Sequence, residues 1–291
     1  MALSTDNYPE FTPDVVARMI TEPLTRFSTF LAAGPTFFDT QGRPLRVPRG
    51  LESTADEIAL NNWHGENEKI NEVEPTKGGE LVLLPDTMES VKTLTRFSNE
   101  LARQSVVALE QALQNRLVTD VAEVIDRQLL SDEGDGVTRP LGMFAWDGVE
   151  TIETGGPLDL DAIMDGYGVF LGNRGHTNGL RLFIRSDDYM EVRKLKDSSG
   201  RYLLQPDMST GGIVVPALGA TLAISNSIPE NNAALVDMSQ VAVARDTNPQ
   251  VKILTETFGD YDQQAIRVVA RYDAGLLDTR AMVKFDMSAQ A

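Results

Sequence analysis

Cysteine is absent from the chain. That removes disulfide frameworks, thiolate metal sites and cysteine nucleophiles from consideration. Histidine is scarce. With only His64 and His176 present, a multi-histidine metal site cannot be built, and carboxylates alone remain as ligands for a hard cation. Long apolar runs are missing too. The longest, residues 213–224, is broken by Pro216 and Gly219 and is too short to span a bilayer. The first ten residues lack the basic flank and apolar run of a secretory signal. The expectation is a protein made and kept in cytosol-like conditions, with no membrane partner. Positive charge is in deficit, with 26 Lys and Arg against 43 Asp and Glu, a net charge of −17. Such a chain repels a phosphate backbone, which argues against dedicated nucleic-acid binding. The charge fits plain solubility, and it also fits a surface that must enclose DNA without sticking to it.

What is there is ordinary in bulk. The chain has 291 residues, 42% hydrophobic and 24% charged, enough for a packed core in one large domain or two interleaved ones. Residues 1–34 read as an arm with one short helix at 13–22. Thr12 caps it, Pro13 fits its first turn, Val15, Val16, Met19 and Ile20 form its apolar face, and Pro23 ends it. Residues 35–90 have little periodicity. Arg43, Arg46 and Arg49 sit among Pro44 and Pro48, which favours an extended ribbon, and eight acids then fall between Glu52 and Glu80 against Lys69 and Lys77. A segment of this length without a core pattern is functional or mobile in compact proteins. Residues 81–84 and 91–97 read as returning strands, the second with Val91, Thr93, Thr95 and Phe97 alternating against Lys92, Leu94 and Arg96.

The clearest element is a helix over 105–131. Ser105 serves as its N-cap, Val106, Leu109, Leu113, Leu117, Val121, Val124, Ile125 and Leu129 recur at helical spacing, and Gly134 and Gly136 stop it. Gln114, Asp120, Glu123 and Arg127 fall mostly on its other side. At ~1.5 Å per residue the rod is roughly 40 Å long. Beyond it, 158–171 reads as a helix, 181–185 as a strand, and Ser186 as the cap of a helix reaching Leu195. Residues 213–215, 220–225 and 233–236 read as short strands. Residues 256–286 are strand-like, with Ile266, Val268, Ala270 and Tyr272 alternating against Arg267, Val269 and Arg271. The fold class is α+β.

Two motifs invite chemistry and do not carry it. Asp132-Glu-Gly-Asp-Gly136 has the flavour of a calcium loop but lacks oxygen ligands at the third and fifth places and the later glutamate, so it reads as a structural turn. Gly166-Tyr-Gly-Val-Phe-Leu-Gly172 has the glycines of a dinucleotide loop without the right spacing or a preceding strand, so it reads as a helix with small residues for close packing. His64 lies beside Glu66 without a matched nucleophile and reads as a surface residue. No catalytic, cofactor or metal residues are expected.

A resemblance enters at the rod and its end. Leu109-Glu-Gln-Ala-Leu-Gln-Asn-Arg-Leu-Val, then Ile125-Asp-Arg-Gln-Leu-Leu-Ser-Asp-Glu-Gly-Asp-Gly136, then Arg139-Pro-Leu-Gly142 resembles the major capsid proteins of tailed phages with the Hong Kong 97 fold, in which a long spine helix ends in such a turn. Residues 93–101 resemble the strand and turn that lead into the spine. Arg193-Lys-Leu-Lys-Asp-Ser-Ser-Gly-Arg-Tyr-Leu203, Leu218-Gly219 and Ser227-Ile-Pro229 follow in the family's order. Arg267, Arg271, Tyr272, Asp273, Gly275, Leu276 and Leu277 resemble its closing strand pair, whose last strand ends at Phe285. The match runs from about residue 35 to 286.

The resemblance implies an N-terminal arm at 1–34 and an extended hairpin, the E-loop, at 35–90. It implies a peripheral domain at 91–156 and 256–291 holding the spine helix, and an axial domain at 157–255. It implies a shell subunit and not an enzyme, self-assembling through hexamers and pentamers into an icosahedral head that encloses double-stranded DNA. Its partners would be other copies of itself, a portal, a separate scaffolding protein (in line with the initiating methionine) and decoration proteins. It would be located in the virion after assembly in the host cytoplasm. Arg43, Arg46, Arg49, Glu66, Glu68, Lys69, Glu72, Glu74 and Lys77 are the candidate contacts between copies. No asparagine or assisting glutamate matches the family's cross-linking set, so no cross-links to Lys69 or Lys77 are expected. The alternatives are an encapsulin-type nanocompartment shell on the same fold and, from another class, a hydrolase with an unrecognised site.

Overall fold

The computed structural model describes residues 28–40, 42–49, 66–67, 79–100, 109–173, 179–195, 214–215, 220–246 and 250–288. The expected arm helix at 13–22, its cap Thr12, the spine cap Ser105 and His64 lie outside these residues. The fold is mixed α+β, with four helices and fourteen strands among the described residues.

The helices are α1 (Thr29–Ala32), α2 (Leu109–Leu129), α3 (Leu160–Gly172) and α4 (Ser186–Lys194). The long helix of the sequence pattern is α2. Leu117, Val121, Ile125 and Leu129 are buried as the spacing requires, and Leu113 is half-buried against the same core. Val124 departs from the expectation and is 45% exposed. The buried stripe passes instead through Val118 and Ala122, one residue round the helix from the assumed face. Asp126 is buried in that stripe.

The strands form four sheets. β4 (Val91–Ser98), β12 (Gln263–Ala270) and β11 (Gln250–Phe258) make a three-stranded antiparallel sheet with β12 central. The alternation read for β4 holds, with Lys92, Leu94 and Arg96 exposed and Phe97 buried. The inner face, including Phe97, Ile266 and Val268, shares one core with α2. β11 begins at Gln250, six residues before the strand-like region expected from 256. Tyr272 does not continue the alternation of β12. The chain turns at Arg271, and Tyr272 opens β13 (Tyr272–Leu276) in another sheet.

The largest sheet has six strands, ordered β5 (Glu150–Glu153), β14 (Met282–Asp286), β9 (Asn232–Asp237), β6 (Leu180–Ile184), β8 (Ala220–Ile224) and β7 (Val214–Val215). It joins strands from both sides of the segment borders at 156/157 and 255/256. α3 and α4 contribute to the core on one face, with Ile163, Phe170, Tyr189 and Val192 among Leu182, Leu235 and Phe285. Asp159, not an earlier residue, caps α3. Arg185 takes the N-cap position of α4 without a side-chain bond, so Ser186 is not the cap. It is the first helical residue, and its hydroxyl bonds Asn226 Oδ1. Gly166 is where small size matters in α3, because a Cβ there would lie 2.3 Å from Phe285 Cζ; nothing lies within 4 Å of such an atom on Gly168 or Gly172.

The acidic turn after α2 is a backbone knot. Asp135 Oδ1 accepts the N–H groups of Val137, Thr138 and Arg139 at 2.9, 2.8 and 2.9 Å, and Oδ2 accepts the Thr138 hydroxyl at 2.7 Å. These bonds hold the carboxyl well below the usual carboxylate range. Gly134 has φ +117°, and a Cβ there would lie 2.2 Å from Pro140 O. The carboxylate is occupied in shaping the turn.

Candidate functional site: the hairpin root and the basic sheet face

Strands β2 (Leu45–Pro48) and β3 (Glu80–Leu83) pair antiparallel from Leu45↔Leu83 to Pro48↔Glu80. They are the stem of the long charged segment. β1 (Thr36–Thr40), just before it, runs parallel to β10 (Val241–Asp246), which pairs antiparallel with β13. The stem rests on this sheet. Leu83, Leu84, Met88, Ala242 and Ala244 form a separate small core, with Phe38, Leu45, Leu81 and Leu277 packed against it. Close approach needs Gly275, where a Cβ would lie 2.8 and 2.9 Å from the Leu81 methyls and 3.1 Å from Leu83 Cδ2.

Both ends of the segment are gripped by charged side chains from the C-terminal half. On the outgoing side Arg245 forms a two-pronged ion pair with Asp39, one contact being 3.1 Å. This holds the Asp39 carboxyl below its ordinary range and raises the arginine. Asp246 accepts the Gly42 N–H at 2.9 Å. On the returning side Leu84 leaves β3 with φ +52°, so the strand ends one residue earlier than expected. Its N–H donates to Asp273 Oδ2 at 2.8 Å. Arg271 donates to Pro85 O at 2.8 Å and pairs with Asp246 at 3.2 Å, linking the two sides. Asp273 is only 3% exposed. Burial pushes its carboxyl up to about 6, against the pull of its bonds to Leu84 and Ala274 and of the Arg271 charge.

The candidate contact residues fall at and beyond this stem. Arg43 is exposed. Arg46 reaches Glu80 of its own hairpin at 3.4 Å, with both side chains largely in solvent, a pair of small energetic weight. The Arg49 N–H closes the stem on Gly79 O at 2.8 Å, and its Nε is buried without a partner among the described residues. Glu66 is exposed. Glu68, Lys69, Glu72, Glu74 and Lys77 lie outside the described residues. Sequence reasoning gave no role to Arg245, Asp246, Arg271 or Asp273. Two of them, Arg271 and Asp273, stand in the string that carried the family resemblance.

A second feature lies on the three-stranded sheet, on the face away from α2. Directly paired residues share a face. The registers place Lys92 opposite Val269; Leu94 opposite Arg267, itself opposite Lys252; and Arg96 opposite Ala265, itself opposite Leu254. Four exposed cations thus cluster around Leu94, which is 43% exposed. Arg96 stacks on the Phe258 ring at 3.9 Å. None of the four makes an ion pair among the described residues.

Comparison with known proteins interprets this geometry. The family model described as the phage capsid family matches residues 11–287. The chain belongs to the phage capsid family. Among solved structures it is similar to the capsid of an empty GTA particle (TM-score 0.67, 20% identity, 90% of this chain and 91% of that one). The capsid protein fold recurs in a chain from Mycobacterium phage Bobi (TM-score 0.65, 16% identity, 90% and 91%). It recurs again in a virus-like particle from Pyrococcus furiosus (TM-score 0.57, 13% identity, 93% and 98%). A search of curated protein sequences finds no match. Capsid proteins of this family are structural components of the virion, and a capsid implies a shell of many copies. Among the described residues no helix is long and apolar enough to cross a membrane.

Proposed function

We propose that this protein is the major capsid subunit of a tailed phage, gathering into hexamers and pentamers that close into an icosahedral head around double-stranded DNA. In this reading residues 1–34 are the arm, 35–90 the E-loop, 91–156 with 256–291 the peripheral domain and 157–255 the axial domain, the last two sharing the six-stranded sheet. The head's other partners are a portal, a separate scaffolding protein and decoration proteins, and assembly takes place in the host cytoplasm.

The observation that carries the reading is the two-sided grip on the hairpin root. Arg245, Asp246, Arg271 and Asp273 hold both ends of a long charged segment whose root rests on a small core of its own. Such an anchor suits a segment whose contacts lie on another copy, where many weak charge pairs act together. Deleting residues 52–78 tests it. The shortened chain is expected to fold, with an unchanged melting profile for the remaining core, and to form no shells. Normal particles from the deletion would contradict this role.

A second reading is a protein cage of the encapsulin type, supported by the likeness to the Pyrococcus furiosus virus-like particle. Particle contents separate the two. The capsid reading expects nuclease-protected DNA in particles from infected cells, and the cage reading expects protein cargo.

A further inference from the structure

We infer that the outer face of α3 is the docking surface for the C-terminal turn of α4 from a second copy, joining copies head to tail. This rests on the shell reading above and deepens it, since it assigns the surfaces through which two neighbours meet.

The first argument is an apolar helix face without a partner. Met164 and Leu171 are 44% and 48% exposed, and with Gly168 between them they form one line along α3 at helical spacing. Gly168 sharpens the point. A glycine inside a helix costs stability relative to alanine, and nothing in this chain lies within 4 Å of a Cβ built there. Gly166, two residues earlier, has its reason in the Phe285 ring. Gly168 has none in the chain's own fold. It leaves a notch between two exposed apolar side chains, where another chain can approach closely. α4 carries a matching knob. Met190 is 48% exposed, and its unbranched side chain adapts to a shallow notch.

The second argument is charge. Asp161 and Asp165 border this line, are exposed, and make no ion pair among the described residues. Asp161 suits the start of a helix; Asp165, a turn later, has no such reason. α4 ends in Arg193 and Lys194, which also pair with no carboxylate among the described residues. Its own acids, Asp187 and Glu191, lie on the N-terminal side of these bases. Set antiparallel to α3, a second copy's α4 brings its two bases to Asp161 and Asp165 and its Met190 to the Gly168 notch. The third argument is placement. α3 lies over the β5–β14 end of the six-stranded sheet, with Gly166 against Phe285 and Ile152. α4 starts beside the end of β8, where Ser186 bonds Asn226. The two surfaces differ and stand toward opposite ends of one sheet, so their contact is head to tail and closes into a ring when repeated with rotation.

The test is a charge swap and a filled notch in the full chain. One variant carries Asp161→Lys and Asp165→Lys; another carries Arg193→Glu and Lys194→Glu; a third carries both sets. A fourth, Gly168→Leu, fills the notch without touching charge. Circular dichroism and melting establish that each folds, and assembly is read by sedimentation and electron microscopy. Gly168→Leu is expected to melt no lower than wild type, because leucine favours the helix and the space around it is open. Each single charge set and Gly168→Leu are expected to abolish particles, and the combined charge set to restore them. Normal assembly of the folded Gly168→Leu chain, or of the folded Asp161→Lys and Asp165→Lys chain, would overturn the docking role of α3. Failure of the combined set, with all three charge variants folded, would overturn α4 as the occupant. If a charge variant does not fold, Gly168→Leu decides alone. A wild-type chain that forms no shells would sink the shell reading and this contact with it. Wild-type shells that every variant matches would sink the contact alone.

Discussion

At the scale of single residues, two positions carry sharp consequences. Gly166 leaves no room for a methyl group against the fully buried Phe285 ring. Gly166→Ala is therefore expected to destabilise the fold by about 1–3 kcal/mol through overpacking. Gly168→Ala, on the same helix with open space around it, is expected to stabilise by about 0.5–1 kcal/mol through helix propensity. Thermal melts of the two variants check the contrast, and equal shifts would mean that the α3 packing is wrong. Asp273 supplies a pH signature. Its folded-state value of about 6 lies above the ~3.9 of an unfolded aspartate, so folding takes up a proton between roughly pH 4 and 6. Its contribution to stability is greatest below pH 4 and falls as pH rises to 6, by a few kcal/mol at ~1.4 kcal/mol per unit. Denaturant titrations across that range are expected to show Asp273→Asn removing this part of the slope. An unchanged slope would mean that the carboxyl is not buried as described.

The same residues show what the sequence can and cannot reveal. The Gly-rich run of α3 was legible as a packing device, but not that Gly166 alone does the packing, because its neighbour Phe285 is distant in sequence. Asp126 shows the limit more sharply. It reads as one more acid near the end of a helix, yet it is 5% exposed and receives the Ser28 hydroxyl and the N–H groups of Thr29 and Phe30, the last two at 2.6 and 3.2 Å. Burial raises its carboxyl, and these bonds only partly oppose that. Nothing local could point to partners 96–98 residues away.

At the scale of elements, local periodicity served well where one face is dry and one wet. The alternation of β4 and that of β12 up to Ala270 follow from spacing alone, and so does the face of α2 except at Val124, because the buried stripe also takes in Val118 and Ala122. It failed where strands are short or fully buried. β10, with Val241, Ala242, Val243 and Ala244 all at 0% exposure, has no wet face to alternate with. β1 sits in a stretch read as loop because its parallel partner is 206 residues away at Asp39↔Arg245. The helix face itself is testable. Leu117 is 4% exposed, and Leu117→Ala is expected to cost about 2–5 kcal/mol. Half-buried Leu113→Ala is expected to cost less. Val124→Ser, at an exposed position, is expected to stay within about 0.5 kcal/mol. Chemical denaturation of the three variants checks that order, and a large loss at Val124 would place the wet face elsewhere.

At the scale of the whole molecule, the chain reads as a part built for many copies. Its core is ordinary, its charge is one-sided, and a long acidic segment is anchored at both ends by Asp39, Arg245, Asp246, Arg271 and Asp273. The one basic patch singled out on the fold faces away from the spine helix on a rigid sheet. Family membership across residues 11–287 sets the chain among capsid proteins, which build shells of many copies. The most direct test is electron microscopy of the purified full chain at moderate salt, with its mass followed by sedimentation. Closed particles of megadalton mass, built from rings of five and six, are the predicted result. A protein that stays a monomer or small oligomer at every concentration and salt tested, with its fold intact, would contradict the account.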